Sequence, residues 1–307
     1  MMSNNLICDL ETGICGVPGE EELEVVDFNQ PAKTIDLYYV TDPICSHCWA
    51  LEPTLRRLKE EYGQYFNFHT VMGGLLEKWG GGPVDPGNGI FGPADVAGHW
   101  REVGEYSRMP IDGSVMVHDP VQSSFPPSRV YKVIQQQHGA EKADEFLRQA
   151  REALFAFNQN ISADAKLIEL VNEIGLDGEK IVKEAEGELG QQLLMEDFVL
   201  KSKLGVRGFP TIVMVNEDNK GVKVVGSRPL DFYVSALKQV SDKEELKANK
   251  LPALSELLAK EKLLFAKEIE VMYDLEKADL DGFIAEQLPA GTFEENELLG
   301  EKYFVSK

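Results

Sequence analysis

Cys45 and Cys48 stand two residues apart with His47 between them, a type and spacing suited to reversible thiol–disulfide exchange. That chemistry needs an accessible thiolate that is also a good leaving group, and a second thiol close enough to resolve the mixed disulfide. The apolar run Ile35-Asp36-Leu37-Tyr38-Tyr39-Val40 precedes the pair and a helical pattern follows it. Cys45 is therefore expected at a helix N-terminus, where partial positive charge and free N–H groups favour its thiolate. Cys48, one turn into the helix, suits the resolving role and is expected to be less exposed. His47, protonated or through its N–H, would favour the Cys45 thiolate further. Other readings of these residues are two inert buried thiols, half of a zinc site, and a solvated loop histidine.

A second segment belongs with the first. Gly205-Val206-Arg207-Gly208-Phe209-Pro210-Thr211 leads into a strand-like run. Proline is tolerated at a strand start because its missing N–H falls outside the ladder. A cis bond before Pro210 would turn the Phe209 backbone toward the cysteines, where an extended substrate could pair with it; spacing alone leaves an ordinary trans turn open. Arg207 could pair with a substrate carboxylate, lower the Cys45 pKa, or form a surface salt bridge. Phe209, Arg207 and Trp49 are expected to contact substrate. Cys8 and Cys15 could close a small disulfide loop, hold zinc, act as an auxiliary redox pair, or have no role. Trp79, Phe91, Trp100, Met109 and Met116 suit either a groove for unfolded substrates or plain core packing.

These residues need elements to position them. Residues 33–41 read as a buried strand, Cys48 to Tyr62 as an amphipathic helix, and Phe66–Met72 as a second strand. Leu75 to Pro127 starts loop-like and turns helical around Pro93 to Ser107. Ser128 to Phe157 reads as one helix, and Asp164–Gly175, Asp177–Gly187 and Leu189–Leu204 as three more, with Ser162-Ala163-Asp164 a cap. Strand character returns at Thr211–Val215 and Val222–Val225, followed by a helix over Asp231–Val240. Leu254–Tyr273 and Ala278–Gln287 read as two terminal helices. Strands at both ends of a helical insertion must pair, giving an α/β architecture: one mixed sheet with helices on both faces and a helical lid. The expected units are an arm with little regular structure (1–32), the sheet domain (33–74 and 205–240), the insertion (75–204) and a C-terminal helical extension (251–307).

The 307 residues carry 52 acidic against 31 basic side chains, a formal net charge of −21. Nucleic acid and anionic membranes need positive charge, so neither is the expected partner. The N-terminus lacks the basic and apolar regions of a signal peptide, and no run reaches the roughly 18 apolar residues of a membrane span. The expected location is the cytoplasm, where a close cysteine pair is more often catalytic, redox-sensing or metal-binding than scaffolding.

Asp42-Pro43-Ile44-Cys45-Ser46-His47-Cys48-Trp49, followed after a helical insertion by Gly205-Val206-Arg207-Gly208-Phe209-Pro210-Thr211, resembles the DsbA-like branch of the thioredoxin superfamily. Met72-Gly73-Gly74-Leu75 and Ser123-Ser124-Phe125-Pro126-Pro127-Ser128 resemble its cytosolic, FrnE-like and disulfide-isomerase members. Over about Thr34 to Val240 the resemblance implies a thioredoxin fold with a helical insertion, Cys45 as nucleophile, Cys48 as resolving thiol and a cis Pro210 facing them. It also implies protein or small thiol substrates and no dissociable cofactor beyond the redox-active disulfide. Lys267-Glu268-Ile269-Glu270-Val271-Met272-Tyr273-Asp274-Leu275, with the Asp42-to-Pro53 segment, resembles the SpxH (YjbH) group. That resemblance implies instead an adaptor delivering a transcription factor to the ClpXP protease, an activity that need not use the thiols.

Overall fold

Alternation along strand β3 (Ile35–Thr41) sends Ile35, Leu37 and Tyr39 into one cluster and Tyr38 and Val40 into another, as the period of two in a strand requires. Strand β4 (Phe66–Met72) pairs parallel to β3, and β5 (Thr211–Asn216) pairs antiparallel to its other edge, with β6 (Gly221–Val225) outside β5. The order β4-β3-β5-β6 is one mixed sheet. Helix α1 (Ser46–Tyr62) lays Leu51, Leu55 and Leu58 on one face, together with Tyr233, Ala236, Leu237 and Val240 of the helix Leu230–Ser241. On the other face Val40, Val71, Val206 and Val213 meet Leu200 of the helix Glu188–Lys203.

The computed structural model describes residues 7–8, 15–16, 35–80 and 89–307. Residues 1–32 and 33–307 are separate units. In the first unit, β1 (Ile7–Cys8) pairs antiparallel with β2 (Cys15–Gly16), and Cys8 is set opposite Cys15. The rest of the expected arm, and residues 81–88 of the expected loop, lie outside the described residues. Among the described residues no helix is long and apolar enough to cross a membrane.

Between β4 and β5 the insertion is helical, beginning with α2 (Pro93–Ser107) and the short α3 (Val115–His118). The single helix expected over Ser128–Phe157 is instead α4 (Phe125–His138) and α5 (Ala140–Arg151), then a π-helical turn over Glu152–Ala156. Gly139 breaks it at φ 88°, a left-handed conformation that costs glycine little. The helix Asp164–Glu173 follows with its N-cap at Ala163, inside the expected Ser162-Ala163-Asp164 cap, though no side chain caps it and Ser162 bonds Asn160. Trp100, Met109 and Met116 are buried in the insertion core and Trp79 packs on it, whereas Phe91 is exposed. Those side chains form a core rather than a groove.

The C-terminal extension is not purely helical. Besides the helices Leu254–Glu261, Ala266–Tyr273 and Leu280–Gln287 it holds an antiparallel three-stranded sheet, made of Leu263–Phe265 between the first two helices and of Phe293–Leu298 and Glu301–Ser306 after the third. Lys262 ends the first helix at φ 66°, which splits the helix expected over Leu254–Tyr273. The final hairpin turns at Leu299 and Gly300, both at positive φ, the pattern of a two-residue turn matched to strand twist. The module docks on the insertion: Phe265 joins the insertion cluster and meets Trp49 edge-on at 5.7 Å.

Candidate redox site

The peptide leaves β3 through a turn whose geometry Asp42 sets. Its carbonyl oxygen accepts from the Cys45 N–H at 3.2 Å, and its carboxylate accepts from the Ile44 N–H at 3.1 Å. This places Cys45 at the N-cap of α1, where its sulfur accepts the Cys48 N–H at 3.3 Å. A side-chain acceptor at this position satisfies one of the helix's unpaired donors.

Both thiols are reduced and buried: Cys45 keeps 6% of its surface exposed and Cys48 none. Cys48 is the less accessible, as expected, but Cys45 is much less open than exchange chemistry suggested. Burial pushes the Cys45 thiol up, and the neighbouring Cys48 adds to that push. Burial also opposes charge on Cys48, yet the Cys45 thiol, Arg151 and the Thr41 hydroxyl together draw Cys48 down. The two thiols influence each other's ionisation and titrate as a pair. In this reduced pair the surroundings favour ionisation of Cys48 over Cys45, whereas the sequence pointed to Cys45.

Beneath the pair lies a buried polar network absent from the sequence reading. Asp42 is fully buried and accepts from the Leu75 N–H at 2.7 Å and the Ser124 hydroxyl at 2.9 Å. Burial pushes its carboxyl up to about 6, against the pull of those donors and Arg151. Arg151, also fully buried, donates to the Thr41 hydroxyl at 2.5 Å, to the Asp42 carbonyl at 3.1 Å and to Glu52. Tyr39 places its hydroxyl 3.4 Å from the Cys48 carbonyl. Arg151 had a readable signal: it lies eight residues after Ala143 and four after Leu147, on the buried stripe of α5, where a charged side chain needs a partner.

The Phe209–Pro210 peptide bond is cis. Val40 pairs with Thr211, so the register carries Pro210 level with Thr41, at the end of β3 from which the cysteine turn departs. The Phe209 ring fills the space over Gly73, where an added Cβ would stand 2.1 Å from it, and Lys201 donates to the Gly73 carbonyl at 2.7 Å. The Phe209 backbone N–H and C=O make no hydrogen bond among the described residues, which leaves them open to an extended chain. Arg207 is exposed and makes no ion pair among the described residues. His47 is exposed and lies 5.4 Å, ring to ring, from His99.

Trp49 is not exposed in the way the expected substrate contact needs. It is fully buried, its indole N–H donates to the Pro110 carbonyl at 3.1 Å, and it stacks near Phe155 with the Arg148 guanidinium 4.8 Å from its ring. Its place in the motif reflects anchoring of α1 to the insertion. For Cys8 and Cys15 the structure describes the backbone register alone.

The architecture agrees with comparisons to known proteins. The family model described as Thioredoxin matches residues 38–235. A protein of Halalkalibacterium halodurans named ClpXP adapter protein SpxH is 32% identical over 279 residues, covering 89% of this chain and 88% of its own. The Bacillus subtilis protein of the same name is 27% identical over 255 residues, covering 82% of each. Among solved structures, the cytosolic disulfide reductase DsbM of Pseudomonas aeruginosa superimposes with a TM-score of 0.53 at 20% identity, covering 67% of this chain and 98% of its own. The likeness to DsbM is one of fold, while the matched thioredoxin model and the near full-length similarity to SpxH proteins place this chain in the thioredoxin family and in the SpxH group.

Proposed function

We propose that the chain is a cytoplasmic thiol–disulfide oxidoreductase that acts on protein or small thiol substrates through Cys45 and Cys48, with no dissociable cofactor. One observation carries this reading. The Cys45 sulfur caps α1 one turn before Cys48, at the end of the sheet where the Phe209 backbone makes no hydrogen bond among the described residues. Cys45, as a thiolate, attacks a substrate disulfide and expels one thiolate; Cys48 then attacks the Cys45 sulfur and expels the second. Phe209 would hold the substrate backbone, and His47 and Arg207, both exposed, flank the approach.

A second reading is favoured by the relatives, which carry the name ClpXP adapter protein. The chain would then bind a protein client for that protease, and the docked C-terminal module would contribute to the binding surface. The two readings share a protein partner and separate on one variant. Insulin reduction with glutathione as donor is expected from the wild type and lost in Cys45→Ser. Equal inactivity of both proteins would sink the exchange reading. Undiminished support by Cys45→Ser of ClpXP degradation of a regulator would favour the adaptor.

A further inference from the structure

We infer that Arg151 is a positioning residue that holds negative charge on the cysteine pair and thereby sets the pair's redox poise, an inference that rests on the exchange reading above. Its guanidinium is fully buried and comes from the insertion, not from the sheet domain that carries the cysteines. An arginine can only donate. It uses the Thr41 oxygen as acceptor at 2.5 Å, so the Thr41 hydrogen is left for its other neighbours, the Cys48 sulfur and the Tyr39 hydroxyl. A second N–H fixes the Asp42 carbonyl at 3.1 Å, the same oxygen that accepts the Cys45 N–H and shapes the turn. Glu52 takes the third direction. The Arg151 Nε is buried and has no hydrogen-bond partner among the described residues. A π-helical turn starts at the next residue, a distortion frequent at functional sites.

The charged and titratable groups facing this guanidinium are Tyr39 and Asp42 from β3, and Cys45, Cys48 and Glu52 from α1. From its own helix, Arg148 and Glu152 pair with each other. The consequence follows from electron balance. Oxidised glutathione takes two electrons from the pair: Cys45 displaces one glutathione thiolate, Cys48 displaces the second, and the protons leave with the two glutathione thiols. The product disulfide is neutral, so the Arg151 attraction acts on the reduced, charged form alone. Removing it favours the disulfide.

The test is made in a Cys8→Ser/Cys15→Ser background, leaving the single pair. Arg151→Met is expected to shift the glutathione equilibrium at least tenfold toward the disulfide, about 30 mV, and to move the thiolate absorbance midpoint to higher pH by about 1 or more. Arg151→Lys, which keeps the charge but not the fork, is expected to fall between. Should Arg151→Met fail to fold, the neutralised Arg151→Met/Glu52→Gln variant reads the same two quantities. A folded variant with equilibrium within threefold of the wild type and an unmoved midpoint overturns the inference. If the wild type forms no Cys45–Cys48 disulfide at any glutathione ratio, the exchange reading fails, and the ultraviolet titration alone decides the role of Arg151.

Discussion

Two buried arginines on α5, Arg148 and Arg151, stand three residues apart and serve different ends. Arg148 turns toward the C-terminal module, where two of its nitrogens meet both Glu268 oxygens at 2.5 and 2.8 Å and its Nε meets Glu152 at 2.6 Å. Each direction of its fork ends on a carboxylate, a bidentate arrangement that adds geometric specificity to charge. Burial opposes charge on Glu268, but Arg148 and Arg56 outweigh it and hold that carboxyl below the usual range. Arg151 turns toward the end of β3 and meets one carboxylate, one hydroxyl and one carbonyl, with Nε unpartnered among the described residues. A saturated ion pair fixes a joint between modules. An unsaturated one, set beside two thiols, is arranged to respond to charge that comes and goes.

That contrast can be broken from either side. The largest effect is expected from Arg148→Met, which takes from the buried Glu268 one of its two arginines and from Glu152 its ion pair. Losing one partner of a buried pair costs about 3–5 kcal/mol, to be read by urea denaturation, while the glutathione equilibrium of the cysteines stays unchanged. Phe265→Ala, at the same joint, removes a fully buried ring that meets Trp49 and Tyr303. About 3–4 kcal/mol of destabilisation is expected, and a loss below about 1 kcal/mol would show that the module is not docked as described.

Asp42 sharpens the other side. Its folded pKa, about 6, lies above its ordinary value, so the folded protein holds the proton more tightly than the unfolded chain. The associated stability is fully present below about pH 4 and lost as pH rises through 6. The difference across that window is of order 2–3 kcal/mol. Asp42→Asn is expected to flatten this dependence in denaturation curves taken at pH 4.5 and 7.5; an unchanged slope would assign the titration to other groups. The smallest effect is expected from Arg207→Ala, an exposed site without an ion pair among the described residues. Its stability is expected to stay within about 0.5 kcal/mol of the wild type, so any loss of insulin reduction would reflect substrate contact.

The strands of the sheet and the helix after Cys45 were legible because local periodicity and burial agree there. Ile35, Leu37 and Tyr39 alternate, and Leu51, Leu55 and Leu58 recur at helical spacing. Periodicity failed where a strong pattern ran through a break. The stretch from Leu254 to Tyr273 is apolar at helical spacing throughout, so the strand Leu263–Phe265 was hidden until Lys262 was seen to leave the helix. The hairpin of Phe293 to Ser306 escaped notice because Leu299 gives no turn signal, although Gly300 does. Trp49 was misjudged for a related reason: neighbourhood in sequence to reactive cysteines says nothing about which face of α1 a side chain occupies.

By itself the sequence determined the chemistry on offer, since a dithiol at a helix start after an apolar strand is written in adjacent residues, and it determined the sheet that carries it. Only the tertiary structure decided which polar groups surround it. Arg151 and Ser124 are remote from Cys45 in the chain, and they reach Thr41 and Asp42 because the insertion packs against the sheet's end. Electrostatic interaction depends on distance through space and on exclusion of water, and neither is set by order along the chain.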